Sequence, residues 1–145
     1  MYLGQYQLNM DKDRRLVVPG SFRELFAQGA YITRGFEQNL LIMSAGDFQE
    51  RYKQIVALNI TDPNARLLQR LILGNAAQLE ITASGQVRIP PDLMSFAGVE
   101  NEIVLVGQGD YFEAWAPAQW EKQSALLLDI TANAGRFTHL DLSSN

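Results

Sequence analysis

The chain has 145 residues, 47% of them hydrophobic and 19% charged, which suits one compact domain or two small intertwined halves and excludes extensive disorder. It has no cysteine, no secretory leader in MYLGQYQLNMDKDRR and no apolar run near the ~20 residues of a membrane helix, so we expect a cytoplasmic protein without a membrane partner. The formal net charge of -4 is uneven, with nine Lys and Arg against seven Asp and Glu in residues 1–74 but three against nine in residues 75–145. A polyanion responds to the local field at a patch, so any phosphate-binding surface is expected in the first half.

The first half is predicted to run strand, helix, strand, strand, helix. Proline after the first strand suits the first position of a helix, and a glycine-containing turn between two apolar runs predicts a hairpin. The elements are RLVV (15–18), PGSFRELFAQ (19–28), AYIT (30–33), NLLIM (39–43) and SAGDFQERYKQIVAL (44–58). Either Ser44 or Asp47 is suited to cap the last helix.

A connecting helix and a second copy of the same layout follow. Thr61-Asp62-Pro63 opens the connecting helix NARLLQRLILG (64–74), whose apolar stripe consists of Leu67, Leu68, Leu71 and Ile72. The second copy consists of QVRI (86–89), PPDLMSFAG (90–98), EIVLV (102–106), YFEAW (111–115) and PAQWEKQSALLLDITAN (117–133), a single helix. The last residues, HLDLSSN (139–145), are expected to be a frayed tail.

The two copies are an internal repeat of about 70 residues. Val18-Pro19 matches Ile89-Pro90 at an offset of 71, and Met43 matches Trp115 at an offset of 72. Each half is too small to make a core alone. We therefore predict an α+β fold in which two tandem strand-helix-strand-strand-helix half-modules interleave into one pseudo-symmetric, β-barrel-like body with flanking helices. The predicted units are residues 1–60, a connecting helix at 61–74, residues 75–135 and a tail at 136–145.

The residues offer little for catalysis. The single histidine, His139, lies in the tail without a partner for acid–base or metal chemistry. Asp11 and Asp13 are followed by two arginines that would neutralise a divalent-metal site. GQGD (107–110) lacks the third glycine, the lysine and the following helix of a phosphate loop, so it is read as a hairpin turn. We expect no enzyme, cofactor, metal or small-molecule substrate.

Aromatic residues and the apolar stripe are interpreted as core. Phe112 and Trp115 do not alternate with basic residues, as a platform for stacking bases would. The stripe could dock a partner helix, but packing within the chain is the commoner use of such a surface.

The remaining candidate is the loop at 11–15, which precedes the first predicted strand and contains Lys12, Arg14 and Arg15. One interpretation is a solvated loop whose cations pair locally with Asp11 and Asp13. The other is binding to nucleic acid, since arginine presents a planar fork that matches phosphate oxygens or a guanine edge. Asp11 would then orient a neighbouring arginine.

The chain also resembles the MraZ family of bacterial transcriptional regulators over nearly its whole length. The matching segments are GQYQLNMDKDRRLVVPGSFRE, GAYITRGFEQNLLIMSAGDFQ, TDPNARLLQRLILGNAAQLEI and VGQGDYFEAWAPAQWE, in matching order. The resemblance implies two AbrB-like, swapped-hairpin DNA-binding modules. It also implies a homo-oligomeric ring, associated with the nucleoid, that represses transcription at repeated promoter sites. Those sites lie upstream of the division and cell-wall gene cluster, which includes the regulator's own gene.

The family pattern, Asp-x-x-x-Arg ahead of a proline-ended strand, places DNA contacts in the first loop. It matches Asp11 and Arg15, so the resemblance implies that Arg15 contacts DNA, with Lys12 and Arg14 as phosphate contacts. Arg14 occupies the position where the family usually has glycine.

The second loop departs from the pattern. Thr82 and Gln86 stand where the aspartate and arginine belong, whereas Gly85 and Pro90 are retained. We assign no role to Gln86 and interpret Arg88 as structural.

A second function class stays open at this stage. The same ring could be an oligomeric adaptor whose loop contacts a protein. A strong salt dependence of binding would distinguish DNA from such a partner.

Overall fold

The structure, a computed structural model, describes residues 1–142. The strands are β1 (Gln5–Asn9), β2 (Leu16–Val17), β3 (Ala30–Arg34), β4 (Leu40–Ser44), β5 (Ala77–Leu79), β6 (Gln86–Val87), β7 (Glu102–Gly107) and β8 (Phe112–Trp115). The helices are a 3-10 turn (Gly20–Phe22) continuing into α1 (Arg23–Ala27), then α2 (Ala45–Val56), α3 (Pro63–Ile72), α4 (Pro91–Ala97), α5 (Pro117–Leu127) and α6 (Ile130–Phe137). No helix in this part of the chain is long and apolar enough to cross a membrane.

The two halves exchange strands. Six strands form an antiparallel sheet in the order β1-β7-β8-β4-β3-β5, and β2 pairs with β6 in a separate two-stranded ladder. Strand β1 of the first half thus pairs with β7 of the second, while β5 of the second half pairs with β3 of the first. Counted inward from the two edges of the sheet, β1 matches β5, β7 matches β3 and β8 matches β4. Each match joins the equivalent strands of the two copies. The α+β class and the interleaved, pseudo-symmetric arrangement are therefore confirmed.

Two corners connect the ladder to the sheet. An isolated bridge joins Met10 to Leu16 at the β1 edge, and another joins Ile81 to Val87 at the β5 edge. The strands of residues 1–142 therefore surround a shared core, but their ladders do not close into a barrel.

The core lies between the sheet and the ladder. Leu16 and Val87 are fully buried at its ladder side, and Ile32 and Ile103 are fully buried on the sheet. Phe112 is buried among the rings of Tyr2, Tyr6 and Phe22, with centroids 5.0–6.2 Å from its own. The interpretation of Phe112 and Trp115 as core residues is confirmed, since both are almost completely buried.

Two strands were not anticipated. The predicted copies began at RLVV and QVRI, yet β1 and β5 precede them. Both segments alternate polar and apolar residues, QYQLNM at 5–10 and AQLEI at 77–81, which is the pattern of a half-buried strand that the prediction overlooked. Each exists because a strand from the other half supplies its hydrogen bonds, which local sequence does not reveal.

The prediction of a single helix over 117–133 is wrong. The helix stops at Leu127, and a second one starts at Ile130. The Asp129 carboxylate accepts a hydrogen bond from the Ala132 amide and so caps α6. The Asn133 side chain donates to the Leu126 carbonyl at 2.8 Å, satisfying an acceptor at the end of α5.

The other helix starts agree with the sequence. Ser44, the first of the two proposed caps, accepts a hydrogen bond from the Asp47 amide at 3.1 Å. Asp62 caps α3 by accepting from the Asn64 amide. The apolar stripe of α3 is only partly used within the chain: Ile72 is buried, whereas Leu67 is 63% exposed.

Leu16→Ala and Val17→Ala test the core beneath the ladder. Leu16 is fully buried and Val17 is 44% exposed on the opposite face of the same strand. Removing the Leu16 side chain leaves a cavity, and we expect the free energy of unfolding to fall by about 3 kcal/mol. Val17→Ala should change it by less than about 1 kcal/mol. Urea unfolding measures both; equal losses would contradict the assignment of the core.

Candidate nucleic-acid interface

The first loop is fixed by one carboxylate. Asp11 Oδ1 accepts hydrogen bonds from the amides of Asp13 and Arg15, both at 2.9 Å. Its Oδ2 accepts from Gln86 Nε2 of the other half at 2.7 Å. The main chain adds a bond from the Asp11 amide to the Arg15 carbonyl at 2.8 Å and one from the Arg14 amide to the Asp11 carbonyl at 3.0 Å. Asp11 therefore positions the backbone of the loop.

The second loop repeats this geometry with a weaker side chain. The Thr82 amide donates to the Gln86 carbonyl at 2.8 Å, and the Gly85 amide donates to the Thr82 carbonyl at 3.0 Å. The Thr82 hydroxyl accepts from the Gln86 amide at 3.1 Å, in place of a carboxylate. The departure from the family pattern thus leaves the turn intact and removes its charges.

The tips of the two loops adopt a left-handed backbone. Arg14 has φ of 61° and Gly85, its counterpart, has φ of 81°. A side chain in this region costs roughly 1 kcal/mol relative to glycine, so Arg14 is held there against its local preference. At Gly85, a Cβ would come within 2.5 Å of the Arg23 guanidinium, which lies against the second loop.

Strand alternation turns the charges of the ladder outward. Leu16 and Val18 of the first half and Val87 and Ile89 of the second point into the core. Their neighbours in sequence therefore face away from it. We call this surface, together with the adjoining loop at 11–15, the ladder face; its cations are Arg15 and Arg88 beside the ladder and Lys12 and Arg14 on the loop.

The cations of the ladder face have no partners among residues 1–142. Their side chains make no hydrogen bond, and no carboxylate oxygen in the described chain lies within 4.0 Å of them. Other arginines are used within the fold: the guanidinium of Arg34 lies 3.6 Å from the centroid of the Phe96 ring. The interpretation of a loop whose cations pair locally with Asp11 and Asp13 therefore has no support in the described contacts.

Two residues on this face were misjudged from the sequence. Gln86 received no role, yet it holds the Asp11 carboxylate. Arg88 was interpreted as structural, yet it is exposed and makes no hydrogen bond to residues 1–142. The alternation of Arg88 with buried Val87 and Ile89 is the sequence signal that could have placed it outside.

The rest of the described chain offers little for catalysis or metal binding. No group of three or more His, Asp or Glu side chains in residues 1–142 is arranged to hold a metal ion. Burial raises the pKa of Glu113 on β8, opposed by the hydrogen bond from the Trp115 indole, and burial likewise raises the pKa of Tyr111. His139 is exposed beyond α6.

Comparison with known proteins gives the family. A family model described as "MraZ protein, putative antitoxin-like" matches the chain twice, over residues 1–71 and 72–139. A relative from Herpetosiphon aurantiacus named "Transcriptional regulator MraZ" is 37% identical over 121 residues, which cover 83% of this chain and 85% of the relative. Relatives of the same name from Roseiflexus castenholzii and Nitrosomonas eutropha are 34% and 38% identical, over 94% and 83% of this chain and 94% and 84% of their own lengths. The chain therefore belongs to the MraZ family of transcriptional regulators, which is not a family of enzymes.

Proposed function

We propose that this protein is a sequence-specific repressor that binds duplex DNA through its ladder face and acts as a ring on repeated promoter sites. Membership of a transcriptional-regulator family supports DNA binding in general. The observation that carries the finer proposal is the set of unpaired cations on a rigid loop in the half of the chain that is not strongly acidic.

The chemistry of each loop residue suggests its role. Arg15 leaves the end of a fixed turn, and its planar fork suits a guanine edge or a phosphate. Lys12 and Arg14 project from the tip, where an exposed cation suits the phosphate backbone. Asp11 serves the loop by accepting three amide hydrogen bonds, which hold the backbone that carries the cations.

The surface of the helices supports assembly. Large apolar side chains are exposed on the helix pair α2–α3 and on the helix pair α5–α6. Ile60, between α2 and α3, is 63% exposed, and Leu128 and Ile130, at the junction of α5 and α6, are at least 80% exposed. The two halves also differ in net charge, at +2 and -6. The first half of one subunit is therefore suited to contact the second half of the next, head to tail. Such contacts close into a ring when the rotation between neighbouring subunits permits.

Assembly would supply the affinity that one loop lacks. Three loop cations neutralise few phosphates, so a single subunit binds weakly. Once one loop of a ring is engaged, the next binds at a high effective concentration, and DNA with repeats at the matching spacing is selected. The proposed sites lie upstream of the division and cell-wall genes, including the regulator's own gene, where occupancy blocks transcription. The proposed location is the nucleoid.

Arg15→Ala tests the DNA contact. We expect specific binding to the DNA upstream of the protein's own gene to weaken by at least tenfold, with the fold and the assembly retained, because the side chain makes no hydrogen bond or ion pair within residues 1–142. Lys122→Ala, which removes an exposed cation from α5, should bind normally. Fluorescence anisotropy against matched and scrambled duplexes, at several salt concentrations, measures this. Unchanged binding by Arg15→Ala, or binding of the unmodified protein that ignores salt, would favour the adaptor function instead.

Asp11→Ala separates loop geometry from charge. The substitution makes the net charge more positive, so simple electrostatics predicts tighter DNA binding. We expect weaker binding and a loss of about 1–3 kcal/mol in unfolding free energy, because three donors lose their acceptor. Asp13→Ala is the matched control: it changes the charge equally, and its carboxylate accepts no hydrogen bond within residues 1–142. If both variants bind more tightly, Asp11 does not position the loop.

Arg14→Gly should improve folding and impair binding. Glycine relieves the positive φ at the loop tip, so the unfolding free energy should rise by up to about 1 kcal/mol. Loss of the cation should reduce the steepness of the salt dependence of DNA binding by about one phosphate contact. Lys12→Gly removes a charge at a residue without a positive φ, so it should impair binding without stabilising the fold. Equal stability changes in the two variants, by thermal unfolding, would contradict this explanation.

A further inference from the structure

The ladder places two arginines opposite each other. Leu16 pairs with Val87 and Val17 with Gln86, so the next position of the same antiparallel register sets Arg15 opposite Arg88. Both lie on the outer face, because the residues beside them, Leu16 and Val87, are fully buried. Directly opposed residues of antiparallel strands have Cβ atoms about 4.5–5.5 Å apart.

This pair has no ion-pair partner within 4.0 Å among residues 1–142. Like charges directly opposite each other on a sheet are unfavourable. Glu80 lines the same shallow depression as the two arginines, together with Gln78, Ile81 and Thr82. Its carboxylate lies beyond ion-pair distance from both guanidinium groups. On the other side of Arg88, a second depression is shared with Arg14 and Asp13.

We infer that Arg15 and Arg88 together form a binding site for one phosphate group of the DNA backbone. The inference rests on the proposed DNA-binding function and adds a contact from the second half. Two guanidinium forks converging on one exposed anion give several charge-assisted hydrogen bonds. A phosphate between them also removes the repulsion that the unbound ladder contains.

This site would let the second half contribute to DNA binding although its own loop carries no charge. Gln86 stands where the family pattern has arginine, and it is used to hold Asp11. Arg88 follows two residues later, and a spacing of two returns a side chain to the same face of a strand. The cation missing from position 86 is therefore present on the same surface, moved one pleat along β6 toward Arg15.

Arg88→Ala tests the site in the full-length protein. With promoter duplex, we expect about tenfold weaker binding near 0.1 M salt and a salt slope reduced by about one contact. The affinity of Arg88→Lys should fall between those of Arg88→Ala and the unmodified protein, because lysine keeps the charge but loses the planar guanidinium fork. Lys122→Ala should match the unmodified protein. Binding by Arg88→Ala within twofold of the unmodified protein would overturn the inference.

A double variant tests whether the arginines share one phosphate. If they do, Arg15→Ala with Arg88→Ala should weaken binding by clearly less than the product of the two single losses. If the loss of affinity in the double variant equals the product of the two single losses, the arginines make two independent contacts, and the shared site is overturned.

A measurement without DNA gives a second readout. Relief of the opposed charges should raise the melting temperature of Arg88→Ala at low ionic strength, and added salt should remove the difference; no rise would contradict the opposed pair. The unmodified protein could instead show no salt-dependent DNA binding while this melting difference is present. In that case the proposed function is wrong, and the placement of Arg15 opposite Arg88 is still supported.

Discussion

Leu16 and Val87 face each other, fully buried, where the two halves of the chain meet. Each half forms only a hairpin of its own, β3–β4 or β7–β8, and its first strand pairs with the other half: β1 with β7, and β5 with β3. The apolar face of each half is therefore covered only when both are folded together. This shared core is the constraint on which the rest of the structure depends, because it fixes the register of the β2–β6 ladder above it.

That register decides what the outer surface presents. A buried residue at every second position of β2 and β6 leaves the intervening side chains outside, and the same pairing brings the two loops side by side. The hydrogen bond between Gln86 and Asp11 then ties the loop of one half to the strand of the other. The ladder face is thus a product of both halves, with three of its four cations from the first and one, Arg88, from the second.

The pseudo-symmetry of the fold is broken at the level of charge. The two loops have equivalent backbone bonds, with Arg14 and Gly85 both left-handed at the tip. The first loop carries cations and a carboxylate clamp, and the second carries neither. Duplication of a half-module supplies the body, and divergence of a few exposed residues is enough to make its two loops unequal, since exposed loop positions contribute little to the core.

Sequence alone determined the repeat, the α+β class, the paired strands of each hairpin, the helix start at Thr61-Asp62-Pro63, Ser44 as one of two candidate caps of α2, and the cationic loop at 11–15. These follow from local spacing and residue chemistry. Only the tertiary structure decided that residues 5–9 and 77–79 pair with strands of the other half, that the helix after Pro117 breaks before Asp129, and that the register of β2 and β6, continued by one position, sets Arg15 opposite Arg88. The reason is that strand pairing is non-local: the partners of β1, of β5 and of Arg88 all lie in the other half of the chain, where no local pattern identifies them.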